Sequence, residues 1–320
     1  MDILSFLKII SKDYKLDYSE IEQKWNAFNT LESNIEKWLK IVNLKPDLKH
    51  EIKTLAIKCQ ITGNDINEII SVVSKIGKIT FKDGDLIENL SCYFNIEKEK
   101  FKKFLTELSK STPPLLNNSP NACCGKFELL YLLLVRGSKK SKRNGDIEHG
   151  KKLIEFKGKD VRLTNRNITG KNYKIQMDKI KDEFKIEGNL QFRSKKYAFE
   201  PEKKRYQKHY ETEFRRLNNP EIFIRVFNDA MGFNISLKEV ENFFQDEQWN
   251  YKNFIKQIAC CLVDTTWILF DEMWIFNDGH NLKKFNSKET LKKSIWSEHI
   301  RLKSDYFRIN QNFPLGWYIE

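Results

Sequence analysis

Gly145-Asp146-Ile147-Glu148-His149-Gly150-Lys151-Lys152-Leu153-Ile154-Glu155-Phe156-Lys157 is the stretch from which the fold is read. Two β-patterned runs, 146–148 and 152–157, flank His149-Gly150, and a glycine there supplies the positive φ that a tight hairpin needs. In the second run Ile154 and Phe156 point one way and Glu155 and Lys157 the other, with Leu153 fitting less cleanly. Residues two apart on a strand face lie about 7 Å apart. Glu155 and Lys157 therefore share a face, and Asp146 can meet it across the hairpin; Glu148 shares the face of Asp146 and is the alternative acid. A third strand is expected at 160–163.

Upstream, 125–136 reads as a strongly apolar helix in which Glu128 is the only charge between Phe127 and Val135. An ionised carboxylate buried in such a run is costly unless a cation or a donor compensates it. A basic loop is expected at 137–145. Two or three carboxylates beside an amine form a hard-oxygen site suited to magnesium, with phosphate oxygens and water completing the shell. The amine can orient the attacking water and offset charge building on phosphorus.

The ordered set Glu128, Asp146, Glu155-Phe156-Lys157 resembles the PD-(D/E)xK nuclease superfamily of restriction endonucleases, junction resolvases and phage nucleases. The resemblance covers about 40 contiguous residues, in the sense that one helix and one hairpin span that length. It implies a restriction-endonuclease-like core of helix, three-stranded antiparallel meander, helix and strand, in a chain of α+β or α/β class. It also implies that Asp146 and Glu155 ligate Mg2+ (Mn2+ can substitute) with the main-chain carbonyl of Phe156. Lys157 would position the water, and Glu128 would support a metal from the helix. Gly145 stands where a proline often precedes the Asp. The bare Glu-x-Lys pattern recurs at Glu22, Glu51, Glu183 and Glu202, so the hairpin and the acid-bearing helix carry the specificity.

Charge points to the same region. Of the net +12, residues 126–217 contribute 26 basic and 13 acidic groups, against 18 and 17 in 1–125 and 12 and 14 in 218–320. A basic segment between neutral flanks is the footprint of a polyanion-binding face, and nucleic acid is the commonest such partner. Lys139, Lys140, Lys142, Arg143, Lys159, Arg162 and Arg166 would flank the scissile phosphate. Lys195, Lys196, Lys203, Lys204 and Arg205, interleaved with tyrosines, would track the backbone.

Three domain-level segments follow. Residues 1–110 read as short amphipathic helices, with Asp17 as an N-cap and further helices near 31–43, 46–59, 64–76 and 98–108. Residues 111–121, with three prolines and three asparagines, read as a linker. Residues 122–320 would form the nuclease domain, with a capping box at Ser236-x-x-Glu239, a helix at 253–263, a buried strand at 267–270 and closing strands at 306–309 and 316–319. The helical N-terminal domain would assist DNA binding or homodimer formation.

Composition excludes other classes. At 40% hydrophobic with 23 Phe and 7 Trp the chain can bury real cores. No run reaches the roughly 18–20 apolar residues of a membrane span, and Asp2 and the short apolar run after it are unlike a signal peptide. An intracellular, cytoplasmic protein is expected. Cys59, Cys92, Cys123, Cys124, Cys260 and Cys261 have neither C-x-x-C nor zinc spacing, and no P-loop or nucleophile elbow occurs. His280-Asn281 lacks the partner histidine of an HNH site. The expected activity is a magnesium-dependent DNA endonuclease of restriction or phage type. A non-catalytic DNA-binding or virion-associated protein that keeps a nuclease-like fold is the alternative.

Overall fold

The structure is a computed structural model. It describes residues 3–15, 17–110, 126–142, 145–158, 160–165, 168–187, 219–245, 251–277, 281–303 and 312–319. The chain is a mixed α+β protein that divides into two compact units, Met1–Phe156 with Gly279–Leu282, and Lys157–Asp278 with Lys283–Glu320. The 111–121 segment lies outside the described residues, and the helices on either side of it both belong to the first unit.

The first unit begins with helices α1 (Ile3–Asp13), α2 (Tyr18–Ile41), α3 (Lys49–Lys58) and α4 (Gly63–Val73). Asp17 caps α2 as expected, accepting the Ser19 N–H at 2.8 Å, and α2 runs unbroken through the two helices read separately from sequence. A short strand β1 (Gly84–Asp85), helix α5 (Leu86–Ser91) and helix α6 (Lys98–Lys110) follow. Trp38, Phe101 and Phe104 are among the largest side chains that are wholly buried.

Helix α7 (Lys126–Leu134) is the centre of this unit. Phe127, Leu129, Leu130, Tyr131, Leu132, Leu133 and Leu134 are all buried, so apolar residues occupy every side of the helix. A helix apolar all round must be covered all round. One side meets the N-terminal helices: α6 packs on α7, and the Trp38 indole N–H donates to the Leu133 carbonyl at 2.9 Å. That bond satisfies a carbonyl in the last turn, where intrahelical partners run out. Another side meets a three-stranded antiparallel meander of β2 (Ser138–Lys140), β3 (Ile147–His149) and β4 (Lys152–Lys157). The register sets Ser138 opposite His149, Lys140 opposite Ile147, and Ile147 opposite Ile154.

Two expectations are corrected here. Ser138–Lys140, read as loop, is a strand, because its backbone completes the open edge of β3. The strand expected at 160–163 forms as β5 (Asp160–Thr164) but leaves the meander. It pairs instead with β9 (Asn312–Ile319), which also pairs with β8 (Ile300–Lys303) in a separate sheet of order β5-β9-β8. With β6 (Glu272–Asn277) and β7 (Asn281–Phe285), the larger sheet has six strands in the order β1-β7-β6-β4-β3-β2.

The second unit holds α8 (Gly170–Glu183), α9 (Pro220–Arg225), α10 (Leu237–Gln245), α11 (Tyr251–Trp267) and α12 (Lys288–Trp296). The capping box forms as read: Ser236 N–H donates to Glu239 Oε2 at 2.8 Å and Glu239 N–H to Ser236 Oγ at 3.3 Å. The strand expected at 267–270 does not form. Helix α11 continues to Trp267, the chain then turns with Ile268 71% exposed, and the buried strand begins only at Glu272. The 316–319 strand lies within β9, whereas 306–309 and His280 fall outside the described residues.

Candidate active site

Backbone geometry, more than side-chain packing, fixes the position of Asp146. Gly145 precedes it at φ +76°, in the left-handed region open to glycine. A Cβ there would sit 3.4 Å from both the Ile154 carbonyl oxygen and Leu153 Cβ, so the glycine also lets the chain lie down onto β4. Asp146 then makes three described hydrogen bonds. Its N–H donates to Ile154 O at 2.9 Å, its carbonyl accepts the Ser141 N–H at 3.0 Å, and its Oδ2 accepts the Phe156 N–H at 2.7 Å. The last of these puts the carboxylate against the Glu155-Phe156-Lys157 stretch.

The alternation of β4 is as expected. Ile154 and Phe156 are buried, and Glu155 and Lys157 are half-buried between and beyond them. Phe156 packs on Tyr131 of α7, ring centroids 5.7 Å apart, and Tyr131 stacks on Phe81 at 5.2 Å. The face of β4 carrying Phe156 is thus the one that α7 covers, and Glu155 and Lys157 alternate to the other.

Glu128 lies on the α7 side. It is 9% exposed, and its Oε2 makes no hydrogen bond; Lys140 Nζ stands 3.5 Å away. Lys140 pairs in register with Ile147, the residue after Asp146, so Glu128 is held at the Asp146 end of the meander. Sequence reasoning placed Lys140 among phosphate-binding residues and missed its place beside Glu128. It also missed Tyr131, one turn beyond Glu128 on the same helix face, whose hydroxyl is 3.1 Å from His149 Nδ1. The three-residue spacing of Glu128 and Tyr131 was the available signal.

Glu148, the alternative acid, pairs with Lys139 at 3.0 Å. Lys142, Lys151 and Lys152 are exposed around the meander. Arg162 lies on β5 with its side chain undescribed, and Arg143, Lys159, Arg166, Lys195, Lys196, Lys203, Lys204 and Arg205 lie outside the described residues.

The buried Glu128 oxygen lacks a hydrogen bond but has the Lys140 ammonium as its compensating cation. Hard carboxylate oxygens of Asp146 and Glu155 suit a small divalent ion, whereas Glu128, expected to join them, stands on the α7 side of the meander, away from the face that carries Glu155 and Lys157. Among the described residues no group of three or more His, Cys, Asp or Glu side chains converges as a metal cage. An ion here would rest on fewer protein acids, with main-chain oxygen, phosphate and water making up the rest, as magnesium sites commonly do. No protein-family model, curated protein or solved structure matches the chain.

Proposed function

We propose that the protein is a magnesium-dependent DNA nuclease whose centre is Asp146, Glu155 and Lys157, on a core similar to that of the PD-(D/E)xK superfamily. One observation carries the reading: the Asp146 carboxylate is hydrogen-bonded to the main chain of Phe156, between Glu155 and Lys157. A helix, α7, leading into the meander β2-β3-β4 supports it.

The proposed reaction is hydrolysis of a phosphodiester. A water oxygen bonds to phosphorus, the bond from phosphorus to the leaving sugar oxygen breaks, and the proton lost by the water is balanced by one gained at the leaving oxygen. Asp146 and Glu155 supply anionic oxygens fixed in place by the hairpin. Phe156 turns its N–H toward Asp146, and a strand residue directs its C=O to the same side, so that carbonyl faces the same edge. Lys157 orients the water and offsets negative charge developing on phosphorus. A bound magnesium or manganese ion would supply further positive charge to the reacting phosphate. Lys142, Lys151 and Lys152, exposed around the meander, suit flanking phosphates.

The test is cleavage of supercoiled plasmid by purified protein with magnesium, and its loss in EDTA. Asp146→Asn keeps an oxygen that can accept from Phe156 N–H while removing the charge, so it separates chemistry from folding. It should abolish detectable nicking, and Lys157→Ala should slow it by about 10²–10⁴-fold. Wild-type rates in the Asp146→Asn protein, or nicking unaffected by EDTA, would overturn the assignment.

A further inference from the structure

A second feature of the first unit stands apart from these carboxylates. Helices α3 and α4 are joined by four residues, Cys59-Gln60-Ile61-Thr62. Gln60 has φ +59°, which reverses the chain in one step, and the Ile61 N–H closes the turn on Ala56 O at 2.8 Å. Thr62 and Asp65 then form a reciprocal capping box that starts α4 at once. The inward residues are small or apolar and buried: Ala56, Cys59, Ile61, Ile66 and Ile69. Helix α2 packs on both α3 and α4. Its Asn34 side chain donates to the Gly63 carbonyl at 2.8 Å, and Gly63 lies so close to Thr30 that a Cβ would come within 2.8 Å of the threonine methyl.

The outward face differs from other surfaces of this chain. Gln60, Thr62, Asn64, Asn67 and Ser71 are exposed and uncharged, and the charges among them are the half-buried acids Asp65, tied to the Thr62 cap, and Glu68. Positions 64, 67 and 71 follow the helical repeat and form one stripe along α4. Cations stand beyond its far end: Lys75, Lys78, and Arg136, whose guanidinium donates to Ser74 O at 2.8 Å.

We propose that α3, the turn and α4 are a helix-turn-helix that reads duplex DNA, with α4 in the major groove. A three- or four-residue turn between two helices, braced by a third, is the connection that motif uses, and its second helix contacts base edges. Asparagine side chains present a donor and an acceptor together, which match the N6 and N7 edge of adenine. The flanking cations suit the phosphates that hold such a helix in register. Double-stranded RNA is a poor fit, since its major groove is too narrow and deep for a helix. The proposal would give the protein sequence preference, and it does not depend on cleavage.

The experiment is selection from a random-sequence duplex DNA library by the full chain in EDTA. Wild type should enrich a short motif. The Asn64→Ala/Asn67→Ala protein, checked by circular dichroism and melting, should enrich none, with low-salt affinity for unrelated duplex changed by less than about threefold, because phosphate contacts remain. Lys75→Glu/Lys78→Glu should weaken binding to all duplexes alike and reduce the salt slope by about two. Failure of wild type to enrich a motif, or enrichment of the same motif by the double asparagine variant, would overturn the proposal. Plasmid nicking with magnesium is read separately: nicking without a motif removes only this inference, and a motif without nicking removes only the nuclease.

Discussion

Gly63 shows how little room a single residue can have. A Cβ there would meet the backbone of α2, 3.1 Å from Leu31 N and 3.2 Å from the Thr30 carbonyl carbon, as well as the Thr30 methyl. Backbone atoms of a long packed helix do not yield as a flexible side chain does. Alanine favours a helix over glycine by about 1 kcal/mol, but overpacking costs about 1–3 kcal/mol. Gly63→Ala is therefore expected to lose up to about 2 kcal/mol net, measured as a lower urea midpoint at unchanged m-value. Gly145 is a different case, because its constraint is chiefly the φ of +76°. Asp146, Glu155 and Lys157 were legible as candidates because strand alternation is local. The Phe156 N–H that anchors Asp146 was not, since it depends on how the chain enters the hairpin.

Between elements, the α2–α3 contact carries an ion network with a defined acid response. Lys49 reaches Glu32 at 2.9 Å and Glu36 at 2.6 Å, and Lys53 reaches Glu32 at 3.4 Å. The hydrogen bond from Lys49 holds the Glu32 carboxyl below the usual glutamate range, partly opposed by burial and aided by Lys53. A depressed folded pKa gives stability that is present above the unfolded value, about 4.3, and lost as pH falls through the folded one. Glu32→Gln should accordingly melt below wild type at neutral pH, and the gap should close as the solution is acidified below that range. Thermal melts at a series of pH values check it, and a gap that persists in acid contradicts it. At this scale the hairpin and the capped helices were readable because their signals lie within a few residues. Strand β2 was not, because Ser138-Lys139-Lys140 has no apolar alternation and becomes a strand by pairing with β3. The apolar run after α11 was misread because a helix end and a buried strand look alike over four residues. Residues 160–163 were read as a strand correctly, but their partner β9 lies far along the chain, and local pattern cannot choose between sheets.

For the molecule as a whole, charge and composition located the basic excess in residues 126–217, and among the described residues no helix is long and apolar enough to cross a membrane. What they could not give was the cover of α7. That helix is lipophilic on every side, with the indole of Trp38 latched to its last turn and the aromatic ring of Phe156 against its flank. A shortened protein made without residues 1–110 would strip one half of this wrapping and leave a greasy rod in contact with water. It should pellet on expression, and co-expression of the missing piece should return it to the supernatant. Any attempt to trim the protein to a minimal fragment around the β3–β4 hairpin would have to keep the opening helices, since they act as the other half of the clamp around α7.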